Sequence, residues 1–421
     1  VVVSVVHIVK GASPTPVLQH KRVRRISAYL TVGDFDASPE RLTTNSRQAF
    51  EGSKVYGAGF IFDDSAAEKG DSEPLDVMKA LIAKDTANSE RVKRYIGGEE
   101  LNNSPSHENS RFVIDFEDFP LLRDASLKSW KSMMEVERRA AVSSGIVPAD
   151  YQHPVAADWP DLLSIAESRV KPQRSKDKRK ARRERWWRFG DRQPGLYQAI
   201  DGMGNVLGLS RVSPQFAIAR LDSGMVYADS CDIIAFSNLA PFAVIHSRAH
   251  ELWARLFSSS MKDDLRYAPS DCFETFPFPK AFDSEPALES AGQAYHDFRA
   301  ELMVARDEGM TKTYNRFHDA NETSADIARL RELHGEMDRA VLRAYGWDDL
   351  ADRAQPQFLT EETEDDYTYQ DRLFWPSEFR DEVLARLLKL NAERHEEEVQ
   401  LGLVKAGKVT ARDDEDEELD I

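Results

Sequence analysis

Apolar residues recur at intervals of three and four along several stretches of the chain, and they alternate or cluster in short runs elsewhere. Residues 74–83 place Leu75, Met78 and Leu81 at helical spacing and predict a helix. Residues 127–142 and 159–170 predict two more, and the charged stretch 178–187 continues the helical reading. Residues 111–116 alternate Phe112, Ile114 and Phe116, the period of a half-buried strand. Strands are also predicted over 1–9, 21–30 and 58–62. Residues 216–221 and 225–227 predict a hairpin turning at Asp222-Ser223-Gly224, with a further strand over 232–237. A helix starting at Pro241, a residue suited to a first turn, puts Ile245, Ala249, Leu252, Trp253 and Leu256 on one face. After Pro279 the pattern changes to long charged helices. Leu333, Met337, Val341 and Ala344 form one stripe ending near Gly346, and Val383, Leu384, Leu387 and Leu390 form another ending near Gly402.

This order of elements predicts an α+β protein in three parts: opening strands over 1–50, a mixed α/β region over 51–280 and a helical region over 281–421. No internal repeat is visible. The 421 residues and a hydrophobic fraction of 41% suit two or three ordinary globular domains. No apolar run approaches the roughly 20 residues that span a bilayer. The opening VVVSVVHIV is too short for that and lacks the basic leader of a signal peptide, so it reads as a buried strand. Starting in mid-strand, the chain is expected to be a fragment or the product of a split gene. Cys231 and Cys272 stand far apart, which excludes a disulfide scaffold or a thiolate zinc site and suits a reducing cytoplasm.

Charge changes the picture more than composition does. The formal net charge of −17 argues against an anionic partner, yet residues 169–192 hold twelve Lys and Arg against Asp177, Glu184 and Asp191. Lys171, Arg174, Lys178, Arg182 and Arg185 fall at three- and four-residue intervals, which on a helix would make one cationic stripe able to follow phosphates. Arg179, Lys180, Arg183, Arg188 and Arg192 complete the basic set around Trp186 and Trp187. The competing reading is a solvated charged helix docked by its tryptophans. Arg211, Ser213 and Arg220 flank the first hairpin strand; they have the chemistry to contact base edges or phosphate, and equally could be ordinary surface residues. The end of the chain is the reverse, with seven carboxylates between Asp413 and Asp420. A disordered solvating tail is the expectation there.

Three other constellations have residue types suited to chemistry. Gly57-Ala58-Gly59 could approach a nucleotide cofactor only if it led from strand to helix; the strand-like FIFDD that follows favours a structural turn. His246 and His250 stand four apart, a zinc-compatible spacing, but no third ligand is identifiable and helix packing is the expected role. Asp115, Glu117 and Asp118 supply acids for a nuclease site without a paired lysine nearby.

Four blocks carry a resemblance: RYIGGEELNNSPSHENSRFVIDF from Arg94, RFGDRQPGLYQAI with SRVSPQFAIARL from Arg188, IHSRAHELWARLFSSSMKDDLRYAPSDCFETFPFP from Ile245, and LHGEMDRAVLRAYGW with LLKLNAERHEEEVQLG from Leu333. Together they resemble the C-terminal half of large S-adenosylmethionine-dependent DNA adenine methyltransferases of restriction–modification and phage-defence systems, of the Type IIG and BREX or DISARM kinds. The resemblance implies that 1–50 are the last strands of a methyltransferase sheet, 51–280 a target-recognition domain for double-stranded DNA, and 281–421 a supporting helical domain. It carries over no catalytic, cofactor or metal residue, since no loop resembling NPPY occurs. S-adenosylmethionine is implied for a separate catalytic half, which would be a partner along with other defence-system subunits. The alternative is a non-catalytic DNA-binding or specificity subunit of a defence complex.

Overall fold

The computed structural model describes residues 38–261 and 264–404, together with Val17–Leu18, Lys21–Arg22 and Ile26. Val17–Leu18 pairs antiparallel with Lys21–Arg22. The predicted strand 1–9, most of 21–30 and the acidic tail lie outside the described residues.

Two four-stranded sheets organise the rest. In the first, Asn205–Ser210 runs between Ala219–Asp222 and Cys231–Ile234, with Ala49–Glu51 on the far side of Cys231–Ile234; every pairing is antiparallel. In the second, Val92–Ile96 lies between Met225–Tyr227, to which it is parallel, and Arg111–Ile114, which pairs onward with Ile61–Phe62. The predicted hairpin is therefore corrected. Asp222-Ser223-Gly224 does turn the chain, with the Gly224 N–H donating to the Asp222 carboxylate at 2.8 Å. However, the two strands it joins enter different sheets. All three residues of Met225–Tyr227 are buried, so this run needs cover on both sides and finds it beside Val92–Ile96. An Arg94–Asp222 ion pair of 2.7 Å ties the turn to that sheet.

Each sheet anchors a core. The first core gathers Leu207, Leu209 and Ile233 with the helices Leu239–His246 and Arg248–Phe257 and continues through Leu288, Leu330, Val341, Val383 and Leu387. The change in charge after Pro279 marks no break in it. Helix Pro286–Arg306 lies against Leu239–His246 so closely that a Cβ at Gly292 would stand 2.2 Å from the Leu239 carbonyl oxygen. The second core packs Phe62, Val113 and Ile114 against helix Pro160–Arg169 and the Trp186–Trp187 pair.

Several predicted helices are shorter than their periodicity suggested. The helix expected from 241 onward is two, because Ser247 leaves the helical region at ψ 157° and its hydroxyl caps the second, accepting from the His250 N–H. The helix expected over 127–142 is Glu135–Ser144, its start fixed where Glu137 accepts from the Met134 N–H at 2.7 Å. The basic stretch is likewise broken. Lys171–Arg174 and Lys180–Glu184 are single short helices separated where Asp177 accepts from the Arg179 N–H at 2.8 Å, a local bond that competes with helix. Trp186 and Trp187 then turn inward; Gly145, at φ 85°, leaves the space into which the Trp187 ring fits. Among the described residues no helix is long and apolar enough to cross a membrane.

A buried polar network crosses the first core. The Arg248 side chain, 1% exposed, donates to Asp338 at 2.5 Å, to His334 Nδ1 at 2.9 Å and to the Leu373 carbonyl at 3.1 and 3.2 Å. Burial raises the Asp338 carboxyl, but the Arg248 guanidinium outweighs it and holds it below the usual carboxylate range. Arg248→Met strands that carboxylate and is expected to cost about 3–5 kcal/mol at neutral pH. Since the depressed group contributes its stability above its unfolded pKa of about 4, the deficit should narrow as pH falls through the folded value. Urea midpoints of both proteins across that range check the expectation.

Candidate nucleic-acid interface

The basic residues do not share one stripe; the fold divides them into anchors and rim. Arg174 is 3% exposed and donates to the carbonyls of Arg188 at 2.5 Å, Val55 at 2.7 Å and Tyr56 at 3.2 Å. Burial, together with the nearby Arg182 charge, lowers its pKa to about 10. Arg188 donates to the carbonyls of Phe119 at 3.0 Å and Val142 at 3.3 Å, and burial lowers its pKa as well. Arg192 bonds the buried Asp115 carboxylate at 3.3 Å and lies over the Tyr197 ring. Burial works against the charged form of Arg192, but Asp115 and Glu117 outweigh it and raise its pKa. These three guanidiniums bind the basic segment to the second core. Part of the nuclease-like acid group is thereby structural, because Asp115 serves Arg192 and Glu117 pairs with Arg91 at 2.7 Å.

The remaining members lie toward solvent. Lys171 pairs with Glu167 at 2.7 Å and stands over the Trp186 ring; Lys180 reaches Glu184 at 3.7 Å. Arg183 donates to the Asp177 and Lys178 carbonyls, and Arg185 reaches the Ser143 hydroxyl at 3.3 Å. Lys178 and Arg179 occupy the connection between the two short helices.

Arg182, Arg185, Arg188 and Arg192 converge on one cleft of about 200 Å³, with Asp118 and Asp191 in its wall. Sequence reasoning missed the residue at its edge. Tyr56 is 47% exposed and carries the Arg182 guanidinium 4.3 Å above its ring centre. It stands in the left-handed region at φ 43°, as do Glu117 at 53° and Gln193 at 58°. Such non-glycine residues are strained and gather at functional sites. Tyr56 carried no pattern signal, since a lone tyrosine before a glycine turn reads as a surface aromatic.

The strand-flanking residues fall elsewhere. Arg211 pairs with Glu51, which Lys54 also approaches at 3.4 Å. Beside them Asp232 is fully buried with neither carboxylate oxygen hydrogen-bonded, and burial drives its pKa well up. Ser213 is buried in the strand Val212–Ser213, its hydroxyl accepting from the Gln215 N–H at 3.2 Å. Arg220 sits half-buried on Ala219–Asp222 with Nε unpartnered.

The other constellations are packing features. Gly57-Ala58-Gly59 forms a short turn ahead of Ile61–Phe62, and a Cβ at Gly59 would stand 2.5 Å from that of Arg169, so the turn has no room for a cofactor. His246 accepts from the Ile218 N–H at 3.2 Å and bonds the Tyr314 hydroxyl at 2.6 Å. His250 bonds the Tyr267 hydroxyl at 3.0 Å, and burial lowers its pKa to about 3. Among the described residues no group of three or more His, Cys, Asp or Glu side chains is arranged to hold a metal ion.

The segment that carries this cleft has relatives. Residues 156–280 match the family model described as "MmeI, target recognition domain". The fold as a whole is similar to a solved structure of the Type IIL restriction-modification enzyme MmeI in complex with DNA, at a TM-score of 0.52 and 16% identity. That likeness covers 89% of this chain and 39% of the MmeI chain, so the chain spans well under half of its relative. No curated protein matches it.

The division into anchors and rim is testable by stability. Arg174→Ala leaves three carbonyls without their buried donor and should cost about 2–4 kcal/mol. Lys180→Ala, on the exposed side of the same segment, should stay within about 0.5 kcal/mol. Chemical denaturation of the two variants decides it; equal losses would show the assignment to be wrong.

Proposed function

We propose that the chain recognises double-stranded DNA as the target-reading part of an adenine-specific DNA methyltransferase in a restriction–modification or phage-defence system. The observation that carries the reading is the convergence of four arginines on one cleft beside an exposed tyrosine, within the segment matching a target recognition domain. The relative of similar fold was solved bound to DNA. Each guanidinium has five N–H groups, so arginines already bonded to carbonyls keep donors for phosphate oxygens. Arg188 and Arg192 give the cleft a fixed floor, Arg182, 19% exposed and 3.6 Å from Asp177, lines its wall, and the exposed Arg185 borders it toward solvent. A protein of net charge −17 with one cationic face meets DNA in one orientation and repels it elsewhere.

In this reading the cofactor and the methyl-transfer loop belong to another segment or subunit. The one glycine turn that resembled a cofactor loop is filled by Arg169 and Val170. On this reading S-adenosylmethionine is bound by that other segment or subunit, in the cytoplasm where the DNA substrate resides. This chain supplies the grip and the register.

Binding to duplex DNA across a salt series tests the proposal. Each phosphate contact contributes about 0.9 to the slope of log affinity against log salt. Arg182→Ala with Arg185→Ala should flatten that slope by roughly 1–2 and weaken binding to all sequences alike. An unchanged slope in a folded double variant would remove the cleft from the interface, and no binding by the parent chain at low salt would defeat the proposal.

A further inference from the structure

A second polar concavity lies away from the arginine cleft, where the segment after Val212–Ser213 meets the C-terminal region. Arg372 lines a cavity of about 330 Å³ together with Pro214, Arg255, Asp264 and Tyr367. A second cavity of about 520 Å³, which shares Asp371 with the first, is lined in part by Gln215, Asn315, Asn321 and Thr360. Tyr367 is 54% exposed, and Asp371, which borders both cavities, holds φ at 56°.

Gln215 is held at this junction by bonds from three elements. Its N–H donates to the Ser213 hydroxyl at 3.2 Å. Its side-chain oxygen accepts from Arg372 Nη1 at 3.1 Å, while Arg372 Nη2 donates to the Pro214 carbonyl at 2.7 Å. Its amide nitrogen donates to Asn315 Oδ1 at 3.0 Å. A glutamine amide has two acceptor lone pairs and two N–H groups. One of each is occupied, so the fixed amide retains one acceptor and one donor in a half-exposed position. Adenine presents the complement in the major groove, an N7 acceptor beside an N6 donor. Guanine presents two acceptors there, and its O6 would face the glutamine oxygen.

We propose that Gln215 reads one adenine of the target through the major groove, and that Arg372 is its positioning residue. The proposal rests on the DNA-binding reading above and adds to it the base, the reader and a role for the C-terminal region in specificity. The planar fork of Arg372 fixes two acceptors at once, which an ammonium cannot reproduce. Grip and reading are thus separate: the arginine cleft holds phosphate, and the amide at the junction selects a base.

The test is selection of the full chain against a randomised duplex library, with base preference scored position by position and the salt slope measured alongside. The parent chain should select a motif containing one adenine position that Gln215→Ala relaxes by about five- to 150-fold. The other positions and the salt slope should stay as they were. Arg372→Lys should relax the same position and leave the slope intact, which loss of folding or of phosphate contact would not do. Gln215→Met, close in volume, guards against a packing defect in the alanine variant. Retention of every base preference by a folded Gln215 variant would overturn the proposal while leaving DNA binding standing. So would a parent chain that binds DNA with no sequence preference. A parent chain that binds no duplex at all would overturn both readings.

Discussion

A buried guanidinium ties the central part of this fold to its C-terminal region. Arg248 sits in a core where an unpaired charge would be intolerable, and every partner it has comes from the C-terminal region: Asp338, His334 and the Leu373 carbonyl. Because Arg248 donates to His334 Nδ1, that ring is a neutral acceptor, in keeping with the downward pull of burial on its pKa. The same strand is fixed from behind, where the Leu373 N–H donates to His318 Nδ1 at 3.1 Å. The network is satisfied on all sides, which is the condition for a buried polar cluster to specify one arrangement. Arg372 is the next residue along that strand, so the position of the fork that holds Gln215 follows from the placement of Arg248.

A second constraint shapes the basic segment. An acidic chain that concentrates twelve cations in one stretch must keep them from disordering it by mutual repulsion. Here the solution is to bury part of the charge against oxygen. Arg174 and Arg188 bond backbone carbonyls, Arg192 bonds Asp115, and both tryptophans enter the second core. Rigid floor and solvated rim are then made from neighbouring residues of the same type. For the phosphate-binding role proposed for this cleft, a floor held by the core would limit the entropy lost on binding.

Much of this was legible in the sequence, and the failures have definite causes. The helices over 75–84, 160–169, 325–344 and 377–400 follow from apolar periodicity, and the packing of Trp186 and Trp187 was the expected role of that pair. The α+β class followed from the same patterns, and the resemblance read from four short blocks is met by a family match over 156–280 and a fold match over most of the chain. The pairing of Met225–Tyr227 with Val92–Ile96 was hidden, because a parallel partner distant in sequence leaves no turn signal. Ser247 and Asp177 broke predicted helices through local side-chain bonds that a periodic pattern does not register. Spacing could not tell Arg174 from Lys178 either. The difference lies in the carbonyls of Val55 and Tyr56, supplied by chain more than a hundred residues away. Gln215 gave no signal at all, since its distinction is the pair of partners that fix its amide.

The continuous first core bears on how such a protein can change its target over time. Leu239–His246 is buried on every side, and Pro286–Arg306 closes over it through the contact at Gly292. A recombination event that exchanged only residues 156–280 would part those surfaces and separate Arg248 from Asp338. The unit that packs as one is larger than the segment matching the target recognition domain. On the proposed DNA-reading role, new specificity would therefore arise more readily by replacing side chains on the existing scaffold than by shuffling residues 156–280 as a cassette.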